Sequence, residues 1–170
     1  MIVVADTAPL NYLLQISCES VLPSLYQRVL IPPSVLDELG HPDAPKVVSE
    51  WLKDVPGWIE VRRTAGSPDA ALADLDPGER EAIQLAEEQR ADLLLIDERR
   101  GRLEAKRRGL ATTGTLGVLL AAAQKGLIDA VAAYQQLATK TNFRCSPEIQ
   151  ESFLQRVRAL RSKGPEGLHP

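Results

Sequence analysis

The chain is poor in the residues that carry soft-metal and disulfide chemistry. Only two of its 170 residues are cysteines, Cys18 and Cys145, and they form no CxxC pair. That suggests neither a disulfide framework nor a thiolate zinc site, and it fits a reducing cytoplasm. The two histidines, His41 and His169, stand far apart, so a histidine triad or a histidine-built zinc centre is not expected. Aromatic residues make up 4% of the chain, which argues against a single-strand binder built on base stacking. The P-loop pattern, GxxxxGK followed by Ser or Thr, is absent, and with it nucleotide hydrolysis of that type. No apolar run reaches the ~20 residues of a membrane span. Asp6 interrupts an apolar N-terminus that has no basic leader, so no signal peptide is expected. A positive excess is lacking too: the net charge is −3 and the pI is near 5.5. A wholly basic nucleic-acid binder is thereby excluded, whereas a local basic patch is not.

What is present is a globular composition, 44% apolar and 25% charged, in a length that suits one domain. We expect that domain to span residues 1–162, with "KGPEGLHP" (163–170) as a mobile tail. "IVVA" (2–5) and "LLLI" (93–96) are continuous apolar runs of the kind found in strands buried on both faces, and they alternate with helical patterns. This predicts an α/β fold with a mainly parallel sheet. Further strands are expected at "RVLI" (28–31), at the edge segment "WIEVRR" (58–63) and at "LATTG" (110–114). Helices are expected after Asp6, over "ESVLPSLY", over "PPSVLDEL", across residues 45–54, after Asp76, over "RRGRLEAKRRG", over "TLGVLLAAAQKG", from Asp129 and from "SPE" at 146–148. Residues 64–75 read as a loop.

Four acids occupy suggestive places, and each has an ordinary structural explanation as well. Asp6 ends the first strand, where open parallel sheets gather ligand chemistry, but Asp-Thr-x-Pro is also a good helix cap. Asp97 ends the second strong strand and is equally a candidate cap for the next helix, with Glu98 beside it. Glu38 lies on the helix after "RVLI", where a solvated acid is common. Glu79 completes the capping box Asp76-Pro-Gly-Glu79, which requires neither metal nor substrate. Together they say more. Like charges ~5 Å apart repel by roughly 3 kcal/mol at an effective dielectric of about 20. A cluster of four therefore survives only by taking up protons or binding a cation. Oxygen ligands without His or Cys select Mg²⁺ or Mn²⁺ over zinc.

The order of these segments, Asp6-Thr-x-Pro-Leu, "LIPPSVLDEL" with Glu38, "DPGEREAI" with Glu79, "ADLLLIDERRGR" with Asp97, then "TTGTLGVLL", resembles a PIN domain. More narrowly it resembles the bacterial branch related to the VapC-type toxins, from residue 2 to about residue 160. The resemblance implies a three-layer α/β/α sandwich with an acidic pocket at one sheet edge. It implies a pocket that holds Mg²⁺ or Mn²⁺ and hydrolyses phosphodiester bonds, usually in RNA. By position, Asp6, Glu38, Glu79 and Asp97 are then the metal ligands, with Thr7, Glu98, Thr113 and Thr115 auxiliary. Many PIN nucleases carry a further Asp after the strand that here reads "TTGT"; this chain offers only Thr112, Thr113 and Thr115, and hydroxyls hold cations poorly. Family context also implies a homodimer and a small antitoxin protein as inhibitor.

The basic run after Asp97 has a place in this reading. Arg99, Arg100, Arg102, Lys106, Arg107 and Arg108 put six cations into ten residues of a net-acidic chain, which suits binding of a nucleic-acid backbone. The plain alternative is a solvated helix with Glu104 ion pairs. Among other classes, an Asp-x-Asp phosphotransferase is disfavoured because Ala8 stands where its second acid is needed. Phospho-receiver chemistry lacks its acid pair and its lysine. The serious rival is a catalytically inert PIN-like scaffold that binds RNA or a partner protein.

Overall fold

The computed structural model describes residues 1–162; the expected mobile tail, 163–170, lies outside the described residues. Five short strands form one sheet: β1 (Val3–Ala5), β2 (Val29–Ile31), β3 (Ile59–Val61), β4 (Leu93–Leu95) and β5 (Thr112–Thr113), in the order β3-β2-β1-β4-β5. Every pairing is parallel. The helices among the described residues are α1 (Thr7–Gln15), α2 (Val21–Tyr26), α3 (Pro33–Leu39), α4 (Lys46–Trp51), α5 (Pro77–Glu88), α6 (Arg99–Arg107), α7 (Thr115–Gln124), α8 (Ala130–Lys140) and α9 (Pro147–Ser162).

Alternation along the strands divides the core in two. Val3, Ala5, Val29, Ile31 and Leu95 face a large cluster that takes in Leu10, Leu13 and Leu14 of α1, Val118 and Leu119 of α7, and Phe153 and Val157 of α9. Val4, Leu30, Leu94 and Ile96 face the other way, onto Ala82, Ile83, Leu85 and Ala86 of α5 and Ala105 of α6. Because both faces are covered, the strands need no polar side, which is why they read as unbroken apolar runs. The result is the three-layer α/β/α sandwich expected from the sequence.

Two segments differ from expectation in detail. Residues 45–54 hold α4 and then tighten into a 3₁₀ turn at Leu52–Asp54. The 64–75 loop contains a 3₁₀ turn, Ala70–Leu72, started by the Asp69 carboxylate accepting from the Ala71 N–H at 2.9 Å. That turn buries Leu72 in the second core. The expected edge strand is β3, and β5 forms the opposite edge. No helix among the described residues is long and apolar enough to cross a membrane.

The strand order fixes where a site can form. The chain leaves β1 to build β2 and β3 on one side, then crosses to β4 and β5 on the other. The connections leaving β1 and β4 therefore diverge, opening a crevice at the carboxyl ends of these two strands.

Candidate functional site

Asp6 and Asp97 meet at that crevice. Ala5 pairs with Leu95, and the Asp6 N–H donates to the Leu95 carbonyl at 2.9 Å. Asp6 therefore leaves β1 level with Ile96, one residue short of Asp97, on strands spaced about 4.8 Å apart. Asp6 stands at the N-cap of α1, yet its side chain makes no cap bond. It is 3% exposed, and its Oδ1 has no hydrogen-bond partner. Burial pushes its carboxyl up to about 8, against the pull of the Thr7 backbone N–H, and the charges of Glu79, Glu38 and Asp97 push the same way as burial.

Asp97 is held differently. Oδ1 accepts from the Thr115 N–H and Oδ2 from the Thr115 hydroxyl, both at 2.7 Å. The helix it caps is thus α7, eighteen residues on, not α6 as the sequence suggests; α6 starts from Glu98, whose side chain makes no cap bond. Burial raises the Asp97 carboxyl, and the two Thr115 bonds oppose it. A Cβ on Gly114 would lie 2.6 Å from Asp97 Oδ1, so glycine there makes room for the carboxylate.

Glu38 and Glu79 approach from the α3 and α5 side. Glu38 accepts from the Thr7 hydroxyl and, through Oε1, from the Gly78 N–H at 2.7 Å. It thereby ties the starts of α1 and α5 to α3. A Cβ on Gly78 would clash with Glu38 Oε2. Glu79 is 6% exposed and does two things at once. Its Oε2 closes the capping box by accepting from the Asp76 N–H, a long bond of 3.4 Å, while its Oε1 is buried with no partner. Burial pushes Glu79 up to about 7; Glu98, Asp76 and Glu38 add to that, and the Asp76 N–H opposes it. The two readings of Glu79 are therefore compatible, because cap and crevice use different oxygens.

The set is an all-oxygen one gathered in a buried crevice, and two of its oxygens, Asp6 Oδ1 and Glu79 Oε1, have no partner. That chemistry fits a hard divalent cation. The side chains do not stand as a ready-made cage: among the described residues, no three His, Cys, Asp or Glu side chains are grouped so as to hold a metal ion. The reason is visible in the hydrogen bonds. Glu38 is drawn to Thr7 and Gly78, and Asp97 to Thr115, which keeps like charges apart.

A family model described as a PIN domain matches residues 2–159. The chain belongs to the PIN domain family. Curated proteins and solved structures give no match to it. PIN domains are in general nucleases and typically use divalent metals, which places this one among phosphodiester hydrolases at that level. The match carries the family and not the narrower VapC-type branch.

Around the acids, this PIN domain places the remaining sequence candidates unequally. The Thr7 and Thr115 hydroxyls each bind an acid, Glu38 and Asp97 respectively. Thr113 packs its hydroxyl against Gly117, where a Cβ would clash with it. Glu98 is exposed and lines an open groove of about 730 Å³ together with Asp97, Arg99 and Arg102. Arg100, Lys106 and Arg107 are exposed on α6 but do not line it. Arg107 instead lies 3.6 Å from Glu104. Arg108 is engaged within the fold. Its guanidinium, with 15% of the side chain exposed, contacts Asp69 at 2.7 Å, Glu87 at 2.8 Å and Glu104 at 2.9 Å. It fastens α6 to α5 and to the 3₁₀ turn through Nε and Nη1. Two groove cations escaped the sequence reading, Arg144 and Arg156. The spacing of Ile149, Phe153 and Arg156 on one helical face was the available signal for the second of these.

Proposed function

We propose that this PIN domain is a metal-dependent endoribonuclease, with Asp6, Glu38, Glu79 and Asp97 holding Mg²⁺ or Mn²⁺. The observation that carries the reading is the pair of buried, unpartnered carboxylate oxygens, Asp6 Oδ1 and Glu79 Oε1, at the switch point of the sheet. An acid buried beside three others is unfavourable unless a proton or a cation compensates it. A bound cation would supply charge stabilisation for in-line displacement at phosphorus. The residues of the chain do the rest. Thr115 and Gly114 keep Asp97 in register, Thr7 and Gly78 hold Glu38, and Arg99 and Arg102 face the groove through which a phosphodiester backbone would reach Asp97.

The narrower reading makes the chain a cytoplasmic toxin, working as a homodimer against RNA and restrained by an antitoxin protein. Its support is the sequence resemblance to VapC-type toxins. The rival, an inert PIN-like scaffold that binds RNA or a protein, draws on one observation: no three of the acidic side chains yet stand together as a metal site among the described residues. Single amide replacements separate the two. For a nuclease, Asp6→Asn, Glu38→Gln, Glu79→Gln and Asp97→Asn each abolish metal-dependent cleavage while RNA binding persists. For a scaffold, the wild type itself cuts nothing at any Mn²⁺ concentration, and the replacements leave binding unchanged.

A further inference from the structure

The basic run on α6 supplies only one side of the groove. Arg99 and Arg102, one turn apart, face it, and Lys106 continues their stripe one turn beyond its rim. The opposite side is built from residues far away in sequence. Arg144 lies in the segment that joins α8 to α9, and Arg156 lies on the α9 face that also carries Ile149 and Phe153 toward the groove. Asp97, Glu98 and, on α9, Glu148 line the same groove. Among the described residues, none of Arg99, Arg102, Arg144 and Arg156 has a carboxylate within ion-pair distance. By contrast, Arg158 and Arg161, on other faces of α9, lie 3.5 Å from Glu151 and 3.4 Å from Asp129.

The Arg144 segment is fixed in place. Tyr12 of α1 donates its hydroxyl to Asn142 Oδ1 at 3.0 Å and packs edge-on against Phe143, with ring centroids 5.3 Å apart. The Thr141 hydroxyl accepts from the Phe143 N–H at 3.0 Å. Arg144 itself donates through Nη1 to the Phe143 carbonyl at 2.7 Å, leaving its other donors open. Four arginines outnumber the three acids that line this groove and make no ion pairs among the described residues, so a polyanion laid along it would gain charge partners.

We infer that Arg144 and Arg156 form a second phosphate-binding wall, opposite Arg99 and Arg102, that holds an RNA strand in the groove leading to Asp97. This rests on the ribonuclease reading above and assigns the backbone grip to residues outside the α6 basic run. The test uses the full chain carrying Asp6→Asn, so that RNA is bound and not cut, with a fluorescein-labelled single-stranded RNA of mixed sequence over a range of salt. Arg144→Ala/Arg156→Ala is compared with Arg158→Ala/Arg161→Ala, which removes the same charge from the same helix region outside the groove. The inference expects the first pair to weaken binding at least tenfold. It also expects the salt slope to fall by about 1.4, two contacts at about 0.7 each for a single strand. Arg144→Lys/Arg156→Lys recovers most of the affinity, and the Arg158/Arg161 pair stays within twofold of the parent. Equal losses from the two alanine pairs overturn the inference, as does an unchanged slope. Parallel cleavage assays on the background with Asp6 intact keep the two readings apart. Cleavage that persists with no dependence on Arg144 and Arg156 overturns the wall and leaves the nuclease. Binding that depends on these arginines in a chain that never cuts supports the wall and removes the nuclease. A chain that neither binds nor cuts RNA overturns both.

Discussion

Replacing Asp6 by Asn should remove much of the pH dependence of stability in the metal-free protein. Asp6 is 3% exposed and its carboxyl is pushed up to about 8 from an ordinary 3.8. Its folded value is the higher one, so its contribution to stability is fully present below about pH 4 and is lost as pH rises through about 8. Between those limits the unfolded chain releases the proton and the folded chain keeps it. Each pH unit separating the two values is worth about 1.4 kcal/mol. From pH 4 to pH 7 the metal-free fold should therefore lose up to about 4 kcal/mol through Asp6 alone, a large share of the ~5–15 kcal/mol that holds a domain together. Asn matches the protonated acid in shape and does not titrate. Urea denaturation in the presence of a chelator, at pH 4, 5.5, 7 and 8.5, measures the difference. Asp6→Asn should match the wild type near pH 4, exceed it at pH 7, and show the shallower pH profile throughout. Parallel profiles for the two proteins would refute the claim that Asp6 is a buried acid left short of a counter-charge.

Glu79→Gln keeps an acceptor for the Asp76 N–H, so metal-free stability should change by less than ~1 kcal/mol or rise slightly. Cleavage should fall by orders of magnitude, and near-wild-type turnover would return Glu79 to a purely capping role. Arg108→Ala strips three carboxylates of their shared partner at a half-buried junction and should cost about 2 kcal/mol in chemical denaturation. RNA affinity in the Asp6→Asn background should stay unchanged; a clear loss would mean that the side chain reaches the substrate. Millimolar Mn²⁺ or Mg²⁺ should raise the melting temperature of the wild type, since an ion at a hundred times its Kd stabilises the fold by about 2.7 kcal/mol. Asp6→Asn should show little of that shift, and no shift in the wild type would favour the scaffold.

The fold was largely legible because its signals are local. Val3–Ala5 and Leu93–Leu95 lie in apolar runs that only a sheet covered on both faces explains, and Asp76-Pro-Gly-Glu79 opens α5 where the capping box said it would. The positions of Asp6 and Asp97 followed from those strands. What stayed hidden depends on contacts across the chain. Asp97 meets Thr115 because β5 returns the chain beside β4, and nothing near Asp97 in sequence announces α7 as its partner. Glu79 divides its two oxygens between cap and crevice, a division that residue type cannot express. Arg108 looks like its neighbours in a basic run, yet the helical period turns it toward Asp69 and Glu87 while Arg99 and Arg102 turn toward the groove. Arg156 reaches that groove through the packing of α9 on α7, and Arg144 through the contacts of Asn142 and Phe143 with Tyr12 of α1.

The most direct measurement is cleavage of a mixed-sequence RNA pool by the purified chain, with Mn²⁺ against chelator and Asp6→Asn alongside. The account predicts cuts that need the ion, vanish with chelator and are missing from Asp6→Asn. RNA left intact by wild type at millimolar Mn²⁺, or cut equally by Asp6→Asn, would contradict it.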